Sequence, residues 1–600
     1  MRPITTVFTC LLVAGGAFAG AHAKPIQDDA EGVPFLTYLT AGRVIQAGED
    51  AGAVIDVLEE YNLGGAVLEV YRSGRVVPVP TLEKVRDALE AEGYAVAGGI
   101  ATTPGDDFGV RQEAPLGWFN YEADKTQQDL AALMRNVAPV FDFFVVDDFL
   151  CTGDLSELSE EAKGDRSWPE YRRDLMVEIA RDVIAAPAKE ANPDITLCVK
   201  FPQWYDLFHK FGYDVERTPE QFDVVWVGTE TRGRETQRFG FIQPYLGFVN
   251  YRWMRDMVED KLTGAWFDHG DCDATDYVDQ AYQTVLAGAP EIVLFNFSNI
   301  ERGHEGDPAL HAERARLETL SRAVDVSADT GVHCYKPPQS PAGGDLYLMD
   351  FLGMLGIPLL PKARFPEKAR VLMLPAQAAA DTDILEKVRT AHAKLDALCV
   401  TAGFLAAADE EQFCRWAGVA PVTPDPMTAQ EIIVDGEAQP ITHGLRIEAM
   451  LDVTRAQVVL EAVVDGKRVP FFTRFEADGV PVYVLNSHTY SEEDFRKVGE
   501  VLLAPAPMGL TELPRSWADT IRAACAYDGL PGMSAPASVT LQLVRGGEWF
   551  IQNYRDAATA VDIEAAGVAM KDGFDQAWAS EGGRHTFILP ARSRLWLTVD

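Results

Sequence analysis

The sequence predicts an α/β protein that contains a (β/α)8 barrel, then a smaller α/β domain, then a C-terminal antiparallel β-sandwich. Two observations predict this order. Between Pro34 and Asn299, short apolar runs alternate with amphipathic helical patterns, which is typical of a parallel sheet built from βα units. The last ~80 residues contain short alternating runs, as antiparallel sheets do. A doubly wound open sheet is the alternative for the first region, because a strand count does not prove closure.

Eight strands are predicted in the first region. They are Phe35–Thr40, Ala66–Tyr71, Ala95–Thr102, Phe143–Asp148, Ile195–Phe201, Val224–Thr229, Gly264–Asp268 and Ile292–Phe297. The helical patterns, with apolar residues at spacings of three and four, include Thr81–Glu92, Lys125–Asn136, Trp168–Ile184, Tyr277–Leu286 and Pro308–Val324. Eight βα units in about 265 residues match a (β/α)8 barrel. We therefore predict a barrel domain over residues 24–330.

The Pro-rich stretch Lys336–Pro341 is interpreted as a linker to the second domain, predicted over residues 342–512. Its predicted strands are Val371–Leu374, Ala397–Val400, Ile432–Val434, Val458–Val464 and Val482–Asn486, with helices over Asp383–Leu395 and Glu493–Leu503. The β-sandwich is predicted over residues 520–600. Its strands are Ser538–Val544, Trp549–Asn553, Ala560–Ile563, Thr586–Leu589 and Ser593–Val599.

The N-terminus has the pattern of a secretory signal. Arg2 precedes an apolar run from Val7 to Gly20, and Ala21-His22-Ala23 follows as a small-x-small cleavage pattern. Residues 1–23 are therefore predicted to be removed, so that the mature chain begins at Lys24 and is secreted or periplasmic. No later run of ~20 apolar residues indicates a membrane span.

Composition restricts the partners and cofactors. With 53 Lys plus Arg against 91 Asp plus Glu, the formal charge is −38, which argues against nucleic acid and favours a neutral ligand. The cysteines form no CxxC pair, His209, His269 and His333 lack the spacing of a metal site, and Asp271-Cys272-Asp273 lacks the calcium-loop pattern. No metal and no cofactor is therefore predicted, and a structural cation is left open. Cys151 and Cys272 follow strands at the expected functional face, whereas most cysteines are expected to be buried.

Acidic residues follow three of the predicted barrel strands. Asp147 and Asp148 end strand four, Glu230 follows strand six, and Asp268 ends strand seven. In a (β/α)8 barrel the functional side chains project from the carboxyl ends of the strands. Cleavage of a glycosidic bond requires two carboxyl groups, one that protonates the leaving oxygen and one that acts as nucleophile or base. These four residues are therefore the candidate catalytic groups.

Aromatic and polar residues at the same strand ends predict a sugar-binding cleft, because sugars stack their C–H faces on aromatic rings and bond through their hydroxyls. The candidate substrate-binding residues are Tyr38, Glu69, Arg72, Lys200, Gln203, Trp204, Trp226, Arg232, Trp266 and Asn296. Arg232, Arg234 and Arg238 could hold an anionic substituent, but nearby Glu235 and the general acidity favour local salt bridges.

The domain order resembles that of the family 42 β-galactosidases, which have a catalytic barrel, an amidotransferase-like α/β domain used in trimerisation, and a small β domain. Segments Leu346–Leu374 and Asp383–Gly403 are similar to the amidotransferase-like domain, although Cys399 lacks the nucleophile elbow of a working amidotransferase. That resemblance implies a homo-oligomer, a dimer or trimer formed through the middle domain. The family's clan has an Asn-Glu pair after strand four and a Glu after strand seven, whereas this chain has Asp147-Asp148 and Asp268.

Strand four is instead similar to that of the α-galactosidase clan of retaining enzymes, in which an Asp nucleophile follows strand four and an acid follows strand six. This resemblance implies Asp147 or Asp148 as nucleophile and Glu230 as acid/base. The segments Val67–Arg72, Val146–Phe149, Phe201–Asp206 and Val227–Arg232 also resemble a poorly characterised group of bacterial barrel proteins.

The leading hypothesis is a secreted glycoside hydrolase that acts on polysaccharides or oligosaccharides, retains configuration, and uses a strand-four Asp and Glu230. Trp226 or Trp266 would supply the apolar wall that raises the pKa of Glu230. One alternative uses Asp148 as acid and Asp268 as nucleophile. A second alternative is a carbohydrate-binding or assembly protein without catalysis.

Overall fold

The computed structural model describes residues 33–233, 236, 240–499, 501–530, 532–571 and 578–599. The predicted signal peptide and Lys24, as well as Arg234, Glu235 and Arg238, lie outside the described residues. Within these ranges, no helix is long and apolar enough to cross a membrane. The seven cysteines here are free thiols, and all but Cys272 are buried, as predicted.

The first domain is a closed barrel of eight parallel strands. They are β1 Phe35–Leu39, β2 Gly65–Arg72, β3 Ala95–Ile100, β4 Phe143–Val146, β5 Thr196–Phe201, β6 Val224–Gly228, β7 Leu262–Asp268 and β8 Ile292–Phe295. Strand β1 pairs in parallel with both β2 and β8, which closes the sheet. The (β/α)8 prediction is confirmed, and the open-sheet alternative is wrong.

Helices surround the barrel. Their bounds are Ala41–Ala47, Gly52–Glu60, Val79–Ala91, Asp124–Val137, Glu157–Lys163, Trp168–Glu178, Ala186–Ala191, Leu246–Val258, Ala274–Ala287, Phe297–Glu301 and Gly306–Ala323, with a π-helical segment Ile179–Ala185. Short 3-10 turns are Ala138–Val140, Phe208–Lys210, Pro219–Gln221 and Glu259–Lys261, and Arg75–Val76 pairs antiparallel with the end of β2. Local chemistry explains the helix starts: Ser167 and Glu170 form a capping box, and Asp273 accepts a hydrogen bond from the Asp276 N–H.

The barrel interior is filled by apolar side chains. Alternate residues of the strands point inward and pack together; they are Leu36, Tyr38, Val67, Ala97, Phe143, Val145, Cys198, Val224, Trp226, Trp266 and Val293. The intervening residues point outward and pack against the helices. Because the interior is a packed core, polar side chains meet at the carboxyl ends of the strands.

The middle domain is built on one nine-stranded sheet. Its strands, in spatial order, are Leu359–Lys362, Val332–Tyr335, Val371–Leu374, Ala397–Thr401, Val480–Leu485, Lys467–Ala477, Gln457–Val464, Met427–Val434 and Glu437–Ile447. The first five are parallel in the order 2-1-3-4-5 of flavodoxin-like folds, and the last four extend the sheet antiparallel. The helices are Leu348–Met354, Ile384–His392, Ala402–Ala408, Glu411–Ala417, Glu492–Val498 and Arg515–Ala524, with 3-10 turns Ala376–Ala380 and Gly509–Glu512.

The predicted start of this domain at residue 342 is wrong, because strand Val332–Tyr335 lies inside its sheet. The linker interpretation of Lys336–Pro341 is also wrong. Lys336 and Ser340 are buried, and the indole N–H of Trp253 from the barrel donates to the Lys336 carbonyl at 2.8 Å. The proline residues reflect a tight, packed connection.

The C-terminal domain is a sandwich of two four-stranded antiparallel sheets. One contains Gly532–Ser534, Thr559–Glu564, Arg584–Leu589 and Ala579–Glu581, and the other contains Val539–Arg545, Glu548–Asn553, Arg594–Val599 and Val568–Met570. It contacts the barrel helix Ala274–Ala287 through Asp279, which accepts hydrogen bonds from Gln552 and Arg594.

Candidate active site

Lys200 lies at the centre of the polar mouth of the barrel. It is the penultimate residue of β5, and its side chain is 1% exposed. Its Nζ is 2.7 Å from Glu230 Oε1 and 3.2 Å from Asp148 Oδ2. Asp147 Oδ1 lies 3.6 Å away. Burial disfavours an ammonium, but these carboxyl groups raise the pKa of Lys200 above its ordinary value, so the residue stays charged.

The two acids after β4 have different environments. The Asp147 side chain is 3% exposed and its Oδ1 accepts the Asp148 N–H at 2.8 Å, whereas the Asp148 side chain is 15% exposed. Burial, and then repulsion by Asp148, raises the pKa of Asp147 well above its usual range. Burial acts on Asp148 too, but Lys200 and the hydrogen bonds outweigh it and lower the pKa of Asp148. The pKa values of the two neighbouring carboxyl groups therefore shift in opposite directions.

Glu230 follows β6 and faces the same lysine. Burial raises the pKa of Glu230, and the attraction of Lys200 opposes this shift. Its Oε2 is buried and has no hydrogen-bond partner within the described ranges. The absence of a side chain on Gly228 makes room for this oxygen, since an ideal Cβ there would lie 2.2 Å from it.

The shared lysine limits the distance between the two acids. Asp148 Oδ2 and Glu230 Oε1 lie 3.2 and 2.7 Å from the same nitrogen, so these oxygens are at most 5.9 Å apart. Retaining glycosidases hold their two carboxyl groups about 5–5.5 Å apart, and inverting enzymes about 6.5–9.5 Å. The upper limit for this oxygen pair falls between the two ranges.

Asp268, at the end of β7, is bound by Arg232 through both oxygens, at 3.0 and 2.6 Å. Its Oδ1 also accepts the Gly270 N–H at 3.0 Å. This contact agrees with the expectation of a local salt bridge for Arg232. It leaves Asp268 more constrained than Asp148 or Glu230.

Glu69, Tyr38 and Arg72 form a fixed polar group on the β1–β2 side of the mouth. Glu69 accepts hydrogen bonds from the Tyr38 hydroxyl at 2.9 Å and the Arg72 Nε at 2.8 Å. The Ala41 N–H donates to its other oxygen at 2.6 Å. Arg72 also lies 3.5 Å from Asp147 Oδ2 and remains 28% exposed, so it is the member of this group that a ligand can reach.

Several candidate aromatic residues form the floor of the mouth. Trp266 packs 4.8 Å from Tyr38 and stacks 5.3 Å from Phe295, and the Lys200 ammonium lies 4.5 Å from the Trp266 ring centroid. Trp226 lies deeper. It is fully buried against Phe143 and donates to the Thr263 hydroxyl at 3.3 Å. Tyr38 and Trp266 are also buried, at 0% and 2% exposed, so the contact of these three rings with substrate stays a prediction.

The remaining candidates occupy the β5 and β8 ends. Trp204 stacks 5.9 Å from Trp118, a residue of the loop after β3 that the sequence analysis missed. Trp118 could have been selected from the sequence because it lies in the segment that follows a predicted barrel strand. Gln203 is buried, and Asn296 is half-buried with an Oδ1 that has no partner in the described part of the chain. Cys151 is buried, which raises its thiol pKa and makes it a poor nucleophile.

Comparisons with known proteins agree with this architecture. Residues 34–319 match the family model described as "Probable glycosyl hydrolase, catalytic domain". Residues 328–490 match the second domain of the uncharacterized protein SSO3021, which agrees with a middle domain that begins before residue 342. The protein SSO3021 of Saccharolobus solfataricus is 26% identical over 344 residues; the match covers 51% of this chain and 56% of that relative.

Several solved glycosidase structures share the overall fold. Gan42B, a GH42 β-galactosidase from G. stearothermophilus, has a TM-score of 0.61 at 10% identity, covering 95% of this chain and 98% of that one. The β-galactosidase of Bacillus circulans sp. alkalophilus has a TM-score of 0.59 at 13% identity, and the match covers 96% of this chain and 100% of that one. The α-L-fucosidase isoenzyme 2 of Paenibacillus thiaminolyticus has a TM-score of 0.61 at 10% identity, and the match covers 95% of this chain and 99% of that one. Residues 34–319 therefore form a closed (β/α)8 barrel that matches the model of a probable glycosyl hydrolase catalytic domain.

Proposed function

We propose that this protein is an exported retaining glycoside hydrolase in which Asp148 is the nucleophile and Glu230 is the general acid/base. The observation that carries the proposal is the shared contact with Lys200, which holds Asp148 Oδ2 and Glu230 Oε1 at most 5.9 Å apart. The opposite pKa shifts support the division of roles, because a nucleophile has to be ionised and an acid has to carry a proton.

The proposed reaction has two steps. Asp148 attacks the anomeric carbon while Glu230 protonates the departing glycosidic oxygen, which gives a glycosyl-aspartate ester. Glu230 then takes a proton from water, the water oxygen attacks the anomeric carbon, and Asp148 leaves. Lys200 stabilises the Glu230 carboxylate formed in the first step. The raised pKa of Asp147 favours its protonated form, which limits the negative charge beside the nucleophile.

Asp148 is preferred to Asp147 because its side chain is more exposed and its pKa is lowered. The scheme with Asp148 as acid and Asp268 as nucleophile has less support. The lowered pKa of Asp148 opposes proton donation, and Arg232 and Gly270 already bind Asp268.

Neutral sugars are the proposed substrates. Each of the described cations Arg72, Lys200 and Arg232 at the mouth contacts a carboxyl group. Anionic sugars would therefore have to compete with these contacts in a chain of formal charge −38. Screening neutral aryl glycosides alongside aryl glucuronides tests this, and preferential cleavage of the glucuronides would contradict it.

The test of the mechanism compares Glu230→Gln with Asp148→Asn on aryl glycosides. Glu230→Gln should lose activity on substrates with poor leaving groups and keep much of it on those with good ones, because only the former need protonation. Azide should restore turnover in Asp148→Asn and give a glycosyl azide of inverted configuration. Proton NMR of the first product should show retention in the wild-type enzyme.

Asp268→Asn is the comparison variant. If azide rescues Asp268→Asn and not Asp148→Asn, the nucleophile is Asp268 and the proposal is wrong. Wild-type turnover of all substrates by Glu230→Gln would remove Glu230 from the mechanism. Glycan binding without hydrolysis over a broad substrate panel would support the alternative of a non-catalytic binding protein.

A further inference from the structure

A second group of ionisable side chains lies beside the mouth and takes no part in the proposed reaction. It consists of His269, the residue after β7, and His304 and Asp307, which come after β8. One donor atom from each of the three lies within 4.8 Å of the others. The group brings together two imidazoles and one carboxylate, which are ligand types that divalent transition metals prefer.

The hydrogen bonds of His269 leave one ring nitrogen available for a cation. Its Nδ1 lies 3.0 Å from the Phe295 carbonyl oxygen, which can only accept, so Nδ1 carries a proton. In the neutral ring, Nε2 then presents its lone pair to Asp307 Oδ1 at 2.8 Å. Two acceptors face each other there unless a cation lies between them or one further proton is bound, on the His269 ring or on the Asp307 carboxyl group.

Asp307 has an unused oxygen in the same place. Its side chain is 2% exposed, and its Oδ2 is buried with no hydrogen-bond partner among the residues described. A buried carboxylate oxygen without a donor is costly. A bound cation would satisfy this oxygen and the Nε2 of His269 together.

His304 is the third member of the group, and it is half-buried. Its ring lies 4.8 Å from the His269 ring at 75°, and its Nδ1 accepts the Gly306 N–H at 3.0 Å. The His304 ring also hydrogen-bonds the Cys272 backbone, so coordination would replace one of these two hydrogen bonds. Ligand atoms at 2.0–2.1 Å from a tetrahedral Zn2+ lie about 3.4 Å apart. Binding would therefore lengthen the 2.8 Å distance between His269 Nε2 and Asp307 Oδ1 slightly, and would shorten the wider distances within the group.

We propose that His269, His304 and Asp307 bind one divalent transition-metal ion of the Zn2+ class. The Phe295 carbonyl orients His269, as outer-shell acceptors orient metal-bound histidines. The ion joins the end of β7 to the segment after β8, and so steadies the neighbouring Asp268. Its role is structural, because Asp148 and Glu230 carry out the proposed reaction without it.

The experiment uses the full chain after treatment with EDTA, followed by titration with Zn2+ against a competing chelator and measurement of bound metal by mass spectrometry. The wild-type protein should bind one equivalent, and Zn2+ should raise its melting temperature. Asp307→Asn and His304→Ala should each weaken binding at least about tenfold. His311→Ala is the matched control, because His311 is exposed and lies on the same helix, Gly306–Ala323.

Two results would overturn the proposal. The first is a wild-type protein that binds no stoichiometric Zn2+. The second is binding that is equally tight in Asp307→Asn, His304→Ala and His311→Ala. If His269 is instead a doubly protonated partner of Asp307, Asp307→Asn will destabilise the fold and Zn2+ will not change the melting temperature of the wild-type chain. His304→Ala keeps the test decisive if the buried variant fails to fold, and the metal measurements do not depend on glycosidase activity.

Discussion

Replacing Lys200 with methionine tests the electrostatic organisation of the mouth most directly. The substitution keeps an unbranched side chain of similar length and removes the charge that contacts Asp147, Asp148 and Glu230. In the wild-type protein Lys200 lowers the pKa of Asp148. A lowered carboxyl pKa stabilises the folded state above the unfolded pKa of aspartate, and this stabilisation is lost as pH falls through the pKa of the folded state. In Lys200→Met, burial without the lysine should raise the carboxyl pKa values, so that stability falls as pH rises.

The magnitude follows from the number of buried carboxylates that lose a partner. Removing one member of a buried ion pair costs about 3–5 kcal/mol, and we expect a loss of this size at pH 8. At pH 5 the protonation of a carboxyl group with an ordinary pKa costs about 1.4 kcal/mol of free energy. Asp148 and Glu230 can therefore take up protons in the variant, which limits the cost of burying them without Lys200. The loss of stability should therefore be about 1–2 kcal/mol smaller at pH 5 than at pH 8.

The assay is urea unfolding of the wild-type protein and Lys200→Met at both pH values, followed by tryptophan fluorescence, together with the pH profile of kcat/KM. The acid limb of that profile should move to higher pH, because Asp148 has to be ionised to react. Lys336→Met is the matched control. Lys336 is equally buried, and its one acidic partner, Asp206 at 3.7 Å, keeps the Tyr347 N–H and Gln377 as donors.

Lys336→Met should lose less stability than Lys200→Met and keep the wild-type pH profile. Two outcomes would refute the reasoning about Lys200. One is an equal loss of stability at pH 5 and pH 8. The other is an unchanged acid limb in Lys200→Met.

Three other substitutions test parts of the structure separately. Asp148→Asn should lower kcat by at least about a hundredfold, whereas Asp147→Asn should keep most of the activity because a neutral amide resembles the protonated acid; equal losses in steady-state kinetics would contradict this distinction. Gly228→Ala should lower kcat more than it changes KM, because the new Cβ displaces the Glu230 carboxyl group; a normal kcat would show that Glu230 does not need this space. Burial raises the pKa of Asp345 to about 7, so wild-type stability should fall by up to about 4 kcal/mol between pH 4 and pH 7, and Asp345→Asn should lack this decline in urea unfolding.

The barrel could be predicted strand by strand because its signals are local. Each buried strand is a short apolar run, and each helix shows spacings of three and four. The start of the middle domain could not be found in this way. Strand Val332–Tyr335 is defined by pairing with Leu359–Lys362 and Val371–Leu374, and the prolines just after it suggested a linker. Pairing between distant segments leaves no signal in a local pattern.

The acidic residues of the candidate site could also be selected from local sequence patterns. Position after a strand was enough to select Asp147, Asp148, Glu230 and Asp268. It was not enough to show that Trp226 is fully buried, because inward-facing residues in the packed core and those at the mouth share the same alternation along a strand. The tautomer of His269 likewise depends on a contact with Phe295, which is 26 positions away in the chain.

The sequence by itself determined the fold class and which strands end in carboxyl groups, because apolar periodicity and strand ends are properties of neighbouring residues. Only the tertiary structure decided how the pKa values of these groups differ. Lys200 is 52 positions from Asp148 and 30 from Glu230, and barrel closure brings all three together in a buried place. There, small differences in exposure and in contact with one ammonium lower the pKa of Asp148 and raise that of Glu230, since the energy of a charge depends on its surroundings in space.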